Sequence, residues 1–121
     1  MTWTYQQSTG HLRFNEAYIE SGYSGKSAWK NHPEFQGFNG KGPIPRGRYT
    51  IGAPFTHPQT GIYSLRLTPG IGNVMFGRSG FLIHGDSQDH PGDASDGCIV
   101  VSLHARHRIW GSGDRALEVI E

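Results

Sequence analysis

Polar and apolar positions alternate from the first residues onward. Trp3, Tyr5 and Gln7 fall on one side and Thr4 and Gln6 on the other, the period of two expected of a half-buried strand. Trp3 and Tyr5 are therefore expected in the core. Ser8-Thr9-Gly10 then signals a turn, and residues 12–14 and 17–19 read as two strands pairing around Asn15-Glu16. Alternation returns at Tyr49-Thr50-Ile51 and again over residues 62–67, where Leu65 and Leu67 share a face. Phe81-Leu82-Ile83 is a short apolar run ending at His84, and Cys98-Ile99-Val100-Val101 is a second. Residues 116–120 read as a last strand with Leu117 and Val119 on one face. Only one stretch has a clear helical frame: Ser102 is an N-cap for residues 103–110, closed by Gly111. A second, shorter helical turn is expected over residues 27–31.

Between these elements the pattern disappears. Residues 21–46 carry Gly22, Gly25, Gly37, Gly40, Gly42, Pro43 and Pro45 with no period. So long a stretch without regular structure usually serves a function, as a lid or binding loop. The whole chain has 18 glycines and seven prolines among 121 residues, a share that approaches low-complexity sequence. Three tryptophans, five tyrosines and six phenylalanines, spread along its length, argue against disorder. The expectation is a single domain over residues 1–121. It is mainly β, a sandwich or barrel of short strands with long Gly/Pro loops and one or two short helices.

Charge and cysteine content mostly exclude. The formal net charge is +1 with no basic block, so nothing electrostatic favours nucleic acid. No apolar run is long enough for a membrane span, and the N-terminus has neither a basic nor an apolar leader region. The chain is thus expected to be made in the cytoplasm without a signal peptide. One cysteine cannot form an internal disulfide, and it offers a metal at most one thiolate. Asp86, Asp89, Asp93 and Asp96 crowd a stretch, residues 79–105, that holds no Lys or Arg.

That stretch carries the chemistry. His84 closes one apolar run, Cys98 opens the next, and a polar Gly/Pro loop joins them. Two such strands lying side by side let imidazole and thiol converge. A thiol with an ordinary pKa of about 8.5 is mostly protonated at neutral pH, and an imidazole can accept its proton. Gly97 removes side-chain bulk beside Cys98, and the Gly97 and Cys98 amides are candidate donors to an oxyanion. A third group must fix the imidazole tautomer. Spacing leaves a backbone carbonyl and the Ser95 hydroxyl equally open.

Ser95-Asp96-Gly97-Cys98, following His84, resembles the catalytic region of L,D-transpeptidases of the YkuD type. Their pattern is a His, a spacer, Ser/Thr-His-Gly-Cys, and an Asn or Arg two residues on. Here the spacer is shorter, Asp96 replaces the second His, and Val100 replaces the final Asn or Arg. Further motifs are Gly22-Tyr23-Ser24-Gly25, Gly42-Pro43-Ile44-Pro45-x-Gly47-x-Tyr49, Gly77-Arg78-x-Gly80-Phe81-x-Ile83-His84-Gly85-Asp86 and Ala94-Ser95-x-Gly97-Cys98-Ile99. In that order they look like a divergent branch, the type VI secretion L,D-transpeptidase effectors, along essentially the whole chain.

The resemblance implies a cysteine enzyme acting on peptidoglycan stem tetrapeptides. Cys98 would attack the carbonyl preceding the terminal D-Ala, with His84 as general base and Gly97 and Ser95 completing the catalytic set. Arg78, Gly85, Asp86, Tyr23 and Asp96 would bind substrate, Arg78 through a carboxylate, while Asp86 would either bind free amines or anchor the loop. The thioester would pass to water (L,D-carboxypeptidase), to a D-amino acid (exchange) or to another stem (cross-linking). Such a protein would be an antibacterial toxin acting in the target's periplasm. Its partners would be type VI secretion components and an immunity protein, and it would need no metal or organic cofactor.

Blander readings stand beside this one. The four aspartates could hold Ca²⁺, although they lack EF-hand spacing, and a solvated turn-rich loop suits them better. Arg78 reads equally well as a surface or internally paired arginine. His104 and His107, at i and i+3, read as exposed helix positions. A wall-binding or Ca²⁺-stabilised β module would need no reactive thiol. A papain-like or NlpC-like peptidase would place Cys before His, and His104 and His107 follow Cys98 too closely for that architecture.

Overall fold

A computed structural model describes residues 2–121. In chain order its strands are β1 (Trp3–Gln6), β2 (His11–Phe14), β3 (Ala17–Ser21), β4 (Tyr23–Ser24), β5 (Gly47–Ile51), β6 (Phe55–His57), β7 (Gly61–Pro69), β8 (Leu82–His84), β9 (Ile99–Val100) and β10 (Ala116–Ile120). The single α-helix, α1 (Leu103–Gly111), lies between β9 and β10. The protein is mainly β, as the alternation predicts.

Nine strands follow one another in the order β3-β2-β1-β10-β5-β7-β8-β9-β4, and β6 pairs off this path with β7. The two ends of that order, β3 and β4, are consecutive in sequence and separated only by Gly22, so the sheet curls into a nearly closed barrel. Gly22 is required at this seam. A Cβ there would stand 2.0 Å from the Val100 carbonyl oxygen.

The core follows from register. β1 and β10 run parallel with Trp3 opposite Leu117 and Tyr5 opposite Val119, and β5 sets Tyr49 against Leu117 from the other side. These residues all point inward and are buried, together with Leu12, Ile51, Leu65, Leu67, Ile83 and Ile99. Trp3 also stacks on Phe14 at 4.5 Å between ring centroids. α1 closes one end of the core with Ala105 and Ile109. Its N-cap is Ser102, whose Oγ accepts the Ala105 amide at 3.1 Å, an arrangement worth about 1 kcal/mol.

Three details differ from the sequence expectation. β6 was not anticipated, because Pro54 and Pro58 flank it and hide a three-residue strand. Helix α1 does not stop before Gly111. It runs through it to a C-cap at Ser112, and Gly113 takes the left-handed conformation at φ 77°. Residues 21–46 are largely irregular as expected, with single 3-10 turns at Ser27–Trp29 and Pro33–Phe35. They are nevertheless packed down. Ile44, Pro43 and Pro45 are fully buried, and Lys26 donates its amide to the Lys41 carbonyl at 2.7 Å. The tight β2–β3 turn has positive φ at both Asn15 (50°) and Glu16 (72°), the geometry of a type I′ hairpin.

Candidate functional site

β8 and β9 lie side by side and parallel, with Ile83 opposite Ile99 and His84 opposite Val100. Parallel strands would normally separate a residue that closes one from a residue that opens the next. Here the strands have three and two residues, so Cys98 lies only two register positions from His84's partner. Period-two alternation then puts His84, Val100 and Cys98 on one face. His84 and Cys98 line the same cleft, a cavity of about 650 Å³.

The cleft has three parts. Its floor is Gly80, Leu82, His84 and Cys98. One wall is the β6–β7 hairpin, from His57 to Gly61. The other is the loop after β8, with Gly85, Asp86, His90, Asp93 and Asp96. The aspartate-rich stretch of the sequence is thus one wall of the cleft.

His84 is 3% exposed. Its Nδ1 lies 2.7 Å from the Gly85 carbonyl oxygen. A carbonyl can only accept, so Nδ1 carries the proton and Nε2 is left as the basic nitrogen. The backbone carbonyl, rather than the Ser95 hydroxyl, fixes the tautomer. Burial pushes the imidazole pKa below its ordinary value. The Gly85 bond opposes this, and the Arg106 and His57 charges add to it. His84 is therefore neutral near pH 7.

Cys98 Sγ accepts the Leu82 amide at 3.3 Å. Burial raises the thiol pKa. The Leu82 N–H and the Arg78 charge lower it again, while Asp96 raises it. The resting pair is thus neutral thiol and neutral imidazole, and thiolate forms as the proton leaves.

The turn before Cys98 is held from every side. Ser95, 1% exposed, accepts the Gly25 and Gly97 amides, each at 3.0 Å, and donates to the Cys98 carbonyl at 2.6 Å. A hydroxyl has one donor and two lone pairs, so Ser95 is fully used. Ser24 donates to the Gly97 carbonyl at 2.9 Å. Gly97 has φ 138°, a region that glycine occupies freely.

Several expected roles change. The Gly97 amide is engaged by Ser95, so it is not the free oxyanion donor the sequence suggested. Arg78 is no carboxylate clamp. It is 5% exposed and donates to the carbonyls of Gln36, Pro43, Gly42 and Asp96. Tyr23 does not line the cleft with Cys98 and His84. Its hydroxyl donates to Asp86 at 2.6 Å and accepts the Ala94 amide at 2.8 Å, tying the acidic loop to β4. Asp86 also accepts the Ser87 and Gly92 amides, so it organises the loop while still facing the cleft. No residue of the 21–46 segment lines the cleft. Gly85 and Asp96 do line it. His104 and His107 are exposed on α1, away from it.

Other contributors lay outside the motifs. Arg106 of α1 is 6% exposed behind Gly85, where a Cβ would meet its Nη2 at 2.6 Å. It donates to the carbonyls of Ile62 and Tyr63 at 2.9 and 3.2 Å. No local pattern marks His57 or Arg106, and Ser24, although within Gly22-Tyr23-Ser24-Gly25, is given no role by that motif.

Residues 19–117 match the model of the Tlde1 domain. The chain belongs to the Tlde1 domain family. This is a family of type VI secretion effectors whose activity concerns peptidoglycan. No curated protein sequence matches the chain. Among the described residues, no helix of this Tlde1 domain is long and apolar enough to cross a membrane.

Proposed function

We propose that this Tlde1 domain is a cysteine-dependent L,D-carboxypeptidase and L,D-transpeptidase acting on peptidoglycan stem tetrapeptides, with Cys98 as nucleophile and His84 as general base. The observation that carries this reading is the β8–β9 register. It sets a thiol and a neutral imidazole, basic at Nε2, on one face of one cleft.

In the proposed reaction Nε2 takes the Cys98 proton as sulfur attacks the carbonyl that precedes the terminal D-Ala. The Cys98 amide is the expected oxyanion donor. As the C–N bond breaks, the imidazolium returns its proton to the departing amine, leaving a thioester. Water, a D-amino acid or a stem amine then attacks the thioester. His84 accepts the attacker's proton and returns it to the leaving sulfur. The carboxylates of Asp86, Asp93 and Asp96 give the cleft an acidic wall suited to a substrate with free amines. Acting this way in a rival's periplasm, the protein would strip stems of their cross-linking donors. An immunity protein would protect the producer.

The Cys98→Ala variant tests this. It should fold normally and release no D-Ala from disaccharide tetrapeptide, and the wild type should carry a transient mass adduct on Cys98. Undiminished release by Cys98→Ala would overturn the proposal.

A further inference from the structure

Arg78 is buried beside Cys98 and has no anionic partner. Among the described residues no carboxylate oxygen is in ion-pair contact with its guanidinium. Its nitrogens meet only backbone carbonyls. Nη1 donates to Gln36 and, at 2.8 Å, to Pro43. Nη2 donates to Gly42 at 2.9 Å and to Asp96 at 3.3 Å. The Phe81 ring lies 5.1 Å from the guanidinium carbon. Carbonyl dipoles and a ring face solvate a cation without neutralising it. Arginine does not shed its proton under these conditions.

The position of this charge is tightly set. A Cβ on Gly97 would come within 2.3 Å of Nη2, so the glycine before Cys98 makes room for the guanidinium. Arg78, Gly97 and Cys98 line one small recess of about 150 Å³, on the Asn39–Gly40 side of the nucleophile. The same fork therefore joins residues 36–43 to the turn that presents the sulfur.

We propose that Arg78 is a positioning residue for Cys98, fixing the Asp96–Gly97 turn and facing the thiolate with an unneutralised positive charge. This rests on the reading of Cys98 as the nucleophile. Other charged and titratable groups face the pair as well. They are His84 from β8, Asp96 from the turn, His57 from β6 and, on the Arg78 side, Tyr49 from β5. Asp86, His90 and Asp93 face it from the acidic loop, and Arg106 from α1 behind His84. Of the two arginines, Arg78 acts on the sulfur and Arg106 on the imidazole.

The test is the pH dependence of Cys98 alkylation by iodoacetamide, read by intact mass, which needs no peptidoglycan turnover. In Arg78→Met the alkylation midpoint should rise by about one unit or more, the usual effect of removing a nearby opposite charge. In Arg78→Lys the charge stays and the fork is lost. Its midpoint should stay within about half a unit of wild type while D-Ala release falls about tenfold. Near-UV circular dichroism checks the fold of both. A folded Arg78→Met with an unshifted midpoint overturns the proposal, because a purely structural arginine would leave the thiol's titration alone. If Arg78→Met does not fold, Arg78→Lys decides, and wild-type turnover in that variant overturns it. Failure of Cys98→Ala to abolish turnover would instead remove the nucleophile assignment, and the alkylation midpoints would be unaffected.

Discussion

From β3 to β5 the sheet is held by ladders of three or four residue pairs, and in β1, β5 and β10 the side chains alternate between the core and the outside. From β8 to β4 the strands shrink to two or three residues, and side chains take over the work of the ladder. Ser95, Ser24, Arg78 and Arg106 each bond backbone groups far away in sequence. The first half obtains its order from a repeated pattern and the burial of large apolar groups. The second half holds an irregular turn and the Cys98 thiol in place, which a regular ladder would leave no room to do. Such a region depends on individual polar groups, each costly to lose when buried.

The sharpest way to separate the halves is to damage one and watch the other. Trp3→Ala removes a fully buried ring from the ladder half and should cost about 3–5 kcal/mol in urea unfolding. At temperatures where that variant stays folded, the Cys98 alkylation profile should match wild type. Ser95→Ala strikes the site half instead. It strands the Gly25 and Gly97 amides and the Cys98 carbonyl, so stability should fall by about 1–3 kcal/mol. Turnover should drop by about ten- to a hundredfold, because a displaced nucleophile loses its attack geometry. If Ser95→Ala loses stability but keeps its turnover, the turn does not set the sulfur's position.

The smallest effect is in pH. Burial first, then the Arg106 and His57 charges, depress the His84 pKa, with the Gly85 bond opposing them. The unfolded chain therefore binds this proton more readily than the folded one. Stability from neutral His84 is complete above the ordinary histidine value of about 6.5 and is lost as pH falls through the lower folded value. Turnover should follow with an acid limb below about 6.5, since only the neutral imidazole accepts the thiol proton. His84→Gln should remove that component of the stability profile. A stability profile left unchanged by that variant would show that His84 is not the group responsible.

The sequence shows the ladder half more fully than the site half. The alternation of Trp3 and Tyr5, and of Leu117 and Val119, is a local period, and it places those residues in the core without knowledge of their partners. The C-terminal end of β8 is equally plain, because His84 closes an apolar run, whereas β9 is shorter than the run that Cys98 opens, spanning only Ile99–Val100. The roles of Arg78 and Tyr23 were not readable. A guanidinium or a phenol declares what it can bond, and only packing decides whether it meets substrate or backbone. Strand β6 was hidden by its flanking prolines, yet its hairpin with β7 forms a whole wall of the cleft.

The sequence alone therefore determined a β-rich domain of short strands and a capped helix after Ser102, and it marked His84 and Cys98 as the residues on which the proposed chemistry rests. These rest on interactions within a few residues, or on an apolar pattern that any core would reward. The tertiary structure decided that the two strands run parallel and in a register that brings the pair together. It also decided that Gly85 orients the imidazole, that Ser95 takes the Gly97 amide, and that Arg78 and Arg106 stand behind the sulfur and the imidazole. The β8–β9 register and the contacts of Arg78 and Arg106 join residues distant in sequence. They exist only once the sheet has curled and brought its far segments against one another.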